Sequence, residues 1–472
     1  MSIYSLIAQT SSYSFPNARP RAIISGANVV PRCGVAVTDT LRSQTASAAV
    51  SPQPTPPIAT DHPHGFGRMF GALQQAPYYR TYWFGNQASL LVMQMQNVAM
   101  GYLAFTLTHS AAILGLVNLA TGVPMLAMSP FGGVIADRYP KRKIILTVQL
   151  VLCGAAVTLG TLVTLGLIQW WHLMIGAFVQ GMCFSIVMPA RQSWIPSLVG
   201  DAELPNAIAL NNAGMNAARI VGPALGGVLI AIPAFGARGI FYLSIPAVMW
   251  VFYSLLQIPI RGEAMQRKRA SFWSEFSAGL TYIRTHEILA PLFAMALVTL
   301  LLGMSYQLLL PAYALGVFNV GSEGLGLMAA VVGVGALSGS LMMAYFSRSR
   351  QKGRIQTIAG ITLGVGLVSF GVASGFHAFV VALGVLFIVG VATDFYSTIN
   401  NTLILLNTDR ALYGRVMSIY MMTWSLAPLA SAPFGSAVDH LGGPLTMILI
   451  GGTLTIFVVA MVRLNPGFRK LS

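Results

Sequence analysis

Twelve apolar runs, each long enough to cross a lipid bilayer as a helix, follow one another between Tyr79 and the C-terminus. A bilayer core of about 30 Å requires roughly 20 apolar residues per helix. Only 8% of all residues are charged, whereas soluble proteins carry about 25%. Backbone groups in lipid need internal hydrogen-bond partners, and no barrel-type alternation is present. The sequence therefore predicts an all-α, multi-pass membrane protein.

The predicted helices form two groups of six. Residues 261–287 are the longest polar connection between apolar runs. We therefore divide the chain into a disordered Ser/Pro-rich tail (1–78), an N-terminal half (79–260), a cytoplasmic central loop (261–287), and a C-terminal half with a short tail (288–472). Internal duplication of this kind is typical of secondary transporters. The predicted helices cover residues 80–107, 111–136, 144–168, 170–195, 206–231, 238–260, 288–315, 324–346, 355–375, 377–405, 413–436 and 443–464.

The positions of the basic residues predict the orientation in the membrane. The net charge of +15 could suggest nucleic acid as a partner. However, if the first helix begins in the cytoplasm, alternate loops on that side hold nearly all loop Lys and Arg, and the opposite side holds only Arg238. This is the positive-inside pattern, so both termini are expected in the cytoplasm, with membrane lipids and no nucleic acid as partners.

The first 75 or so residues differ in composition from the rest. They are rich in Ser, Thr, Ala and Pro, with four arginines and one acid before residue 50. Such a segment cannot bury a core and is expected to be disordered. It lacks the apolar segment of a secretory signal peptide. Because it is rich in Arg and poor in acids, an organellar transit peptide stays open as an alternative. A further alternative is an upstream extension before a start near Met69.

A charged connection between the second and third helices carries a family resemblance. GGVIADRYPKRK, residues 132–143, resembles the loop signature of the major facilitator superfamily, with Gly133, Asp137, Arg138, Lys141 and Arg142 in register. Pro140 stands where that signature usually has glycine, a variant associated with macrolide and enterobactin exporters. Stretches at the first, fifth and eleventh helices resemble the same branch. The resemblance implies a twelve-helix fold of two halves that transports a small molecule by alternating access.

The resemblance gives the charged loop a role in gating. In the family, the aspartate at the position of Asp137 contacts the start of the eleventh helix, here near Gly414 to Ser418, when the cytoplasmic side is closed. A carboxylate is favoured there because the macrodipole is positive at a helix N-terminus. The alternative is that the charges of this loop serve only to fix topology.

The fifth helix contains GPALGG, which resembles the antiporter signature found among exporters. Pro223 can kink the helix, and Gly222, Gly226 and Gly227 permit close packing, as a hinge requires. Ala209 and Ala218 replace two earlier glycines of the full signature, and a plain packing face is the alternative.

Two ionisable residues within apolar runs are candidates for proton coupling. Arg219 lies in the fifth helix and Asp394 in the tenth. The resemblance implies that helices one, four, seven and ten line the cavity, and a desolvated carboxylate can exchange protons near neutral pH. The alternative is a structural charge pair.

Uncharged polar and aromatic side chains are candidates for lining a substrate cavity. Such groups suit a large, mostly apolar compound, although helix packing is the alternative for each of them. These candidates are Asn86, Gln94, Asn97, Gln180, Tyr306, Gln307, Asn401 and Trp424.

The motifs of enzymes are missing from the sequence. It contains no HExxH, GxSxG, Walker lysine or CxxC pattern, and its three cysteines are scattered. We therefore expect no catalytic residues, no metal site and no cofactor. The predicted function is efflux of a small hydrophobic or amphipathic compound, driven by protons, by a monomer in the bacterial inner membrane. Two alternatives stay open: an importer with the same fold, and a receptor or scaffold that does not transport.

Overall fold

The computed structural model describes residues 71–200, 203–259, 272–346, 351–409 and 412–465. Most of the predicted tail and residues 261–271 of the predicted central loop lie outside the described residues. In the described part of the chain every regular element is helical. A π-helical turn, Tyr313–Val317, follows α11. The helices are α1 Gly71–Gln75, α2 Pro77–Thr108, α3 Ala111–Arg138, α4 Lys141–Thr164, α5 Trp170–Leu198, α6 Leu204–Ala231, α7 Gly236–Tyr242, α8 Ser244–Leu256, α9 Phe272–Thr285, α10 Leu289–Gly303, α11 Ser305–Ala312, α12 Gly321–Phe346, α13 Lys352–Gly375, α14 Phe379–Leu406, α15 Tyr413–Trp424, α16 Ala427–Leu441 and α17 Gly443–Leu464.

Eleven helical segments among the described residues are long and apolar enough to cross a membrane. They coincide with eleven of the predicted runs, and the prediction of an all-α membrane protein is confirmed. The predicted eleventh helix, 413–436, is instead the pair α15 and α16, which extends to Leu441. Pro428 explains the break, because it has no N–H to donate to the carbonyl of Trp424. The count of twelve spanning helices therefore stays a prediction.

The helices begin earlier than the sequence predicts. The predicted tail includes residues 71–78, but α1 and the first turn of α2 occupy this stretch. The backbone N–H of Ala72 donates to Asn206 Oδ1 at 3.4 Å, and the hydroxyl of Tyr79 donates to the carbonyl of Ala207 at 2.7 Å. Both contacts dock this segment on α6, which explains why it is helical.

The second half of the predicted central loop is also a helix. α9 packs against α15, with Gly279 and Ile283 buried on its inner face. The hydroxyl of Tyr282 donates to Asp409 at 3.2 Å and fixes α9 to the connection between α14 and α15. α9 is therefore a surface helix of the C-terminal half.

The two halves meet along two helix pairs, α3 with α16 and α6 with α12. Small residues allow the backbones to approach closely at both, as is common for helices in membranes. A Cβ atom on Gly227 of α6 would collide with the Cα atom of Gly326 of α12, and one on Gly435 of α16 would collide with the carbonyl of Ala111. We call these contacts the α6–α12 seam and the α3–α16 seam.

Candidate functional site

A cavity of about 360 Å³ lies between the two halves. Its walls come from α2, α3, α6, α11, α12, α14 and α15, with Met304 between α10 and α11, and Pro428 of α16 at one edge. Most of the lining is aliphatic, with Met and Trp side chains and a small number of amides. Seven residues singled out in the sequence line this cavity: Gln94, Asn97, Arg219, Pro223, Gln307, Asp394 and Trp424.

Arg219 reaches into the cavity from the N-terminal half. Its side chain is exposed to the cavity although α6 places it deep among the helices. The guanidinium carbon lies 5.7 Å from the centre of the Trp424 ring, which is within the range of a cation–π interaction. Asp394 and Tyr306 also interact electrostatically with Arg219. All three partners belong to the C-terminal half, so Arg219 makes a polar contact between halves.

Asp394 faces the same cavity from α14. It accepts a hydrogen bond of 2.5 Å from the hydroxyl of Ser340 on α12. The described part of the chain shows no direct ion pair between Asp394 and Arg219, and their attraction acts through space. The carboxylate is half-buried, so it retains access to the cavity. Asp394 is thus held by one neutral donor and faces the cavity.

Three amides form a chain that links α2 and α5. Gln180 Nε2 donates to Asn97 Oδ1 at 2.9 Å, and Asn97 Nδ2 donates to Gln94 Oε1 at 3.2 Å. Gln94 and Asn97 line the main cavity, whereas Gln180 lines a second, smaller cavity inside the N-terminal half. The amide chain therefore lies between the two cavities.

Four candidates for the substrate cavity do not line it. Gln180 is one of them, and Asn86 is buried about 12 Å along α2 from Gln94, where it donates to Asn211 Oδ1 at 3.4 Å. Tyr306 faces the core beside Gln307 and accepts a hydrogen bond of 3.3 Å from its amide. Asn401 lies two turns beyond Asp394. Helical periodicity predicts on which side of its helix each of these residues lies, but it does not predict whether that position is level with the cavity.

Other cavity residues are not evident from the sequence. Asn118 of α3 donates from its side-chain amide to the carbonyl of Leu308 at 3.3 Å and thereby joins the two halves. Ser340, which holds Asp394, is likewise absent from the predicted site. An isolated amide in the apolar run of the second helix could have indicated Asn118. A serine among glycines and alanines gives no comparable signal.

The glycines of GPALGG contact two different neighbours. Gly222 and Gly226 pack on Gln94 and Met95 of α2, whereas Gly227 packs on α12 of the other half. Pro223 lines the main cavity. This short stretch of α6 therefore touches the rest of its own half, the opposite half and the cavity.

The charged loop lies at the junction of α3 and α4. Arg142 donates to the carbonyl of Ile258 at 3.1 Å, Lys141 is buried, Arg138 is exposed and Asp137 is half-buried. Gly132, and not Gly133, is the glycine in close approach, against the carbonyl of Ser185 on α5. A Cβ atom on Gly133 would have no neighbour within 4 Å. These contacts of Arg142 and Gly132 lie within the N-terminal half, and the contact of Asp137 with the eleventh helix stays a prediction.

The opposite end of α3 is closed by an acid from the C-terminal half. Asp439 of α16 accepts hydrogen bonds from the Ser110 hydroxyl at 2.5 Å and from the backbone N–H groups of Ala111 and Ala112 at 2.7 and 2.9 Å. A carboxylate is favoured here because the first N–H groups of a helix have no partner within it. The α3–α16 seam is therefore closed at the end of α3 that lies farthest from the charged loop.

Comparison with known proteins places this geometry among transporters. Residues 69–471 match a family described as transmembrane secretion effector. The chain is 23% identical over 396 residues to macrolide efflux protein A of Streptococcus pyogenes, covering 83% of this chain and 97% of that protein. It is 24% identical to the staphyloferrin A transporter of Staphylococcus aureus, covering 77% and 90%, and 24% identical to the enterobactin exporter EntS of Citrobacter koseri, covering 79% and 86%.

Solved structures show a similar fold. A D-xylose-proton symporter aligns with a TM-score of 0.67 at 13% identity, over 83% of this chain and 99% of that chain. A bacterial homologue of the iron transporter ferroportin, in an inward-facing state, aligns with a TM-score of 0.64 at 15% identity, over 84% and 98%.

Proposed function

The chain belongs to the transmembrane secretion effector family of the major facilitator superfamily, and on this premise we propose that it exports a small hydrophobic or amphipathic compound in exchange for protons. It is a multi-pass membrane transporter and not an enzyme. Its relatives include a macrolide efflux protein, a staphyloferrin A transporter and an enterobactin exporter. Efflux is therefore the direction that family membership favours, over import by the same fold.

The observation that carries the proposal is the charge pair across the cavity. Arg219 belongs to the N-terminal half, and Asp394 belongs to the C-terminal half. The attraction between two charges in a medium of low polarity depends strongly on their distance. Rocking of one half against the other changes that distance. The protonation state of Asp394 therefore follows the conformational state of the transporter. This dependence is what coupling of transport to protons requires.

The cavity also suits the proposed class of substrate. Its volume of about 360 Å³ lies within the range of small-molecule sites. Apolar walls and the Trp424 ring can pack against hydrophobic groups, while Gln94, Asn97 and Gln307 offer hydrogen bonds without charge. A cationic substrate could pair with Asp394 across the cavity, and a neutral one could bind beside both charged side chains.

Transport by the purified protein tests this proposal directly. We expect proteoliposomes with an imposed pH difference to move a macrolide or a siderophore against its concentration gradient, with counter-movement of protons. A screen of these classes in cells expressing the protein would select the compound to use. An importer would show coupling of the opposite polarity. Absence of proton flux with every compound that binds would favour a receptor or scaffold.

Replacing Asp439 with alanine should weaken the α3–α16 seam. The change removes three hydrogen bonds at a helix N-terminus that is partly exposed, a loss of about 1 kcal/mol. The closed state of this seam should then lose about fivefold in population relative to the open state. Val117 lines the main cavity, so labelling of Val117→Cys by an impermeant maleimide, in a variant without native cysteines, would report the change. His440→Ala on the same turn is the matched control, and equal labelling of both variants would contradict the role of Asp439.

Replacing Asp137 with asparagine tests the predicted latch at the other end of α3. With the positive-inside orientation, that end faces the cytoplasm, and a latch to the start of α15 would form only when that side closes. We expect Asp137→Asn to slow transport and to raise the accessibility of the cavity from the cytoplasm. Unchanged turnover together with unchanged accessibility would leave only the topological role of the loop charges.

A further inference from the structure

A buried arginine without an acidic partner among the described residues lies inside the N-terminal half. Arg191 of α5 is 7% exposed, and its Nη2 donates to the hydroxyl of Ser89 on α2 at 3.3 Å. In the described part of the chain its Nε has no hydrogen-bond partner. Among the described residues, Tyr82, whose hydroxyl is neutral, interacts electrostatically with Arg191. An arginine cannot give up its proton in a protein, so its charge needs compensation from elsewhere.

The groups around Arg191 are predominantly hydrogen-bond donors. The Tyr82 hydroxyl and the Trp194 indole N–H are both buried with no partner in the described helices, and their rings make an edge contact with centroids 5.5 Å apart. Gln149, also buried, donates to the same Ser89 hydroxyl at 2.5 Å. That hydroxyl therefore accepts from Gln149 and Arg191 and is free to donate its own proton. Among the described residues, this cluster of buried groups has no negatively charged acceptor.

Two small cavities meet at Arg191. One has a volume of about 60 Å³ and is bordered by Ser89, Gln149 and Gln96, whose Nε2 is another buried donor with no partner among the described side chains. The other, of about 10 Å³, is bordered by Tyr82 and Asn86. Of the residues that the structure describes, no Asp or Glu borders either cavity. The Asn86 carbonyl oxygen is an acceptor, but it is neutral and faces a space that holds about one water molecule.

We infer that the larger of these cavities, at Arg191, is a binding site for a small monovalent anion of halide or formate size. The volume admits such an ion or a few waters, and water alone would leave the guanidinium charge uncompensated. The ion would accept hydrogen bonds from Arg191, Gln96 and Ser89. The Gln180–Asn97–Gln94 amide chain lies between this cavity and the main one. The anion is therefore a free ion and not the end of a transported compound.

The site ties together three helices of the N-terminal half. Ser89 comes from α2, Gln149 from α4 and Arg191 from α5. An anion at this point neutralises the charge that α5 carries into the bundle, and it would stabilise the packing of all three helices. Ligand that binds only the folded state raises its stability in proportion to the logarithm of ligand concentration.

Thermal unfolding of the full-length protein in detergent tests the inference. Chloride or formate would replace gluconate, which is too large for the cavity, at constant ionic strength. We expect a saturable rise in Tm of about 2 °C with chloride, formate or both. No dependence on either anion would overturn the inference and indicate a site filled by water.

Three variants assign the response to this cavity. Arg191→Met should abolish the dependence on anions, with a Tm in gluconate no lower than that of the unmodified protein, because an uncompensated charge is removed. Gln96→Leu, which removes one of the three donors to the ion, should raise the half-saturating concentration about tenfold. Arg219→Met in the main cavity should keep the response in full. A response that survives Arg191→Met, or that disappears with Arg219→Met, would overturn the inference.

A surface arginine provides the matched control for lost charge. Arg238 is held by the carbonyl of Ala234 at 3.3 Å and borders neither cavity. Arg238→Met should leave both the Tm in gluconate and the anion response unchanged. Because the measurement uses no transport, it stands whether or not the proposed efflux activity is found.

Discussion

Replacing Asp394 with asparagine should abolish the coupling of transport to protons and leave the protein folded. A pH difference of 2 units is worth about 2.7 kcal/mol per proton, which can sustain a concentration ratio of about 100 for a substrate exchanged with one proton. We expect Asp394→Asn to reduce this ratio to about 1 in proteoliposomes. The reason is that asparagine cannot carry a proton, whereas it can still accept the hydrogen bond from Ser340.

Exchange without a gradient separates coupling from binding. An asparagine resembles the protonated carboxyl group, so exchange of labelled for unlabelled substrate should continue at a similar rate. Asp409→Asn is the matched control, because Asp409 lies at the surface against Tyr282 and does not line the main cavity. A concentration ratio near 100 in Asp394→Asn would remove this residue from the mechanism. Loss of both accumulation and exchange would place it in substrate binding instead.

Replacing Gly227 with valine should prevent the two halves from packing at the α6–α12 seam. The new Cβ atom would collide with the Cα atom of Gly326, and backbone atoms cannot move aside as a flexible side chain can. Overpacking of this kind costs about 3 kcal/mol. We expect a strong loss of monodisperse protein on size-exclusion chromatography, and loss of transport in whatever fraction folds.

Gly384→Val is the matched control for this substitution. Gly384 lies in α14, is exposed, and has nothing within 4 Å of the position of a Cβ atom. The same change in side chain there should leave yield and transport close to those of the unmodified protein. Equal behaviour of the two variants would show that the close approach at Gly227 does not matter for assembly.

The helices were predictable because the bilayer imposes their length and polarity. Apolar runs predict the last helix, Gly443–Leu464, at both ends, and most others within a few residues. The errors have local causes: Pro428 interrupts the eleventh run, and α1 and α9 are helices because they dock on α6 and α15. These amphipathic surface segments lack a long apolar run, so hydropathy alone could not identify them.

The site was predictable only as a set of residue types. Charges are rare in a membrane protein, which is why Arg219 and Asp394 stand out in the amino-acid sequence itself. These two residues are 175 positions apart in the sequence. They face each other across the cavity because of the way α6 and α14 pack in the fold. The same holds for Gln180 and Asn97, 83 residues apart. Arg191 is visible in the sequence as a charge near the end of an apolar run. That it has no acidic partner among the described residues can be seen only in the folded structure.

The closure of the α3–α16 seam has a consequence for how freely its sequence can change. Asp439 binds one side chain and two backbone N–H groups. Any residue except proline supplies a backbone N–H. The hydrogen bonds to Asp439 therefore allow many residue types at positions 111 and 112, provided that the side chain fits against Gly435 of α16. The strength of the closure thus rests on a single acid and on the start of a helix. A seam of this design can keep its closing contact while the amino-acid sequence of one of its two faces changes.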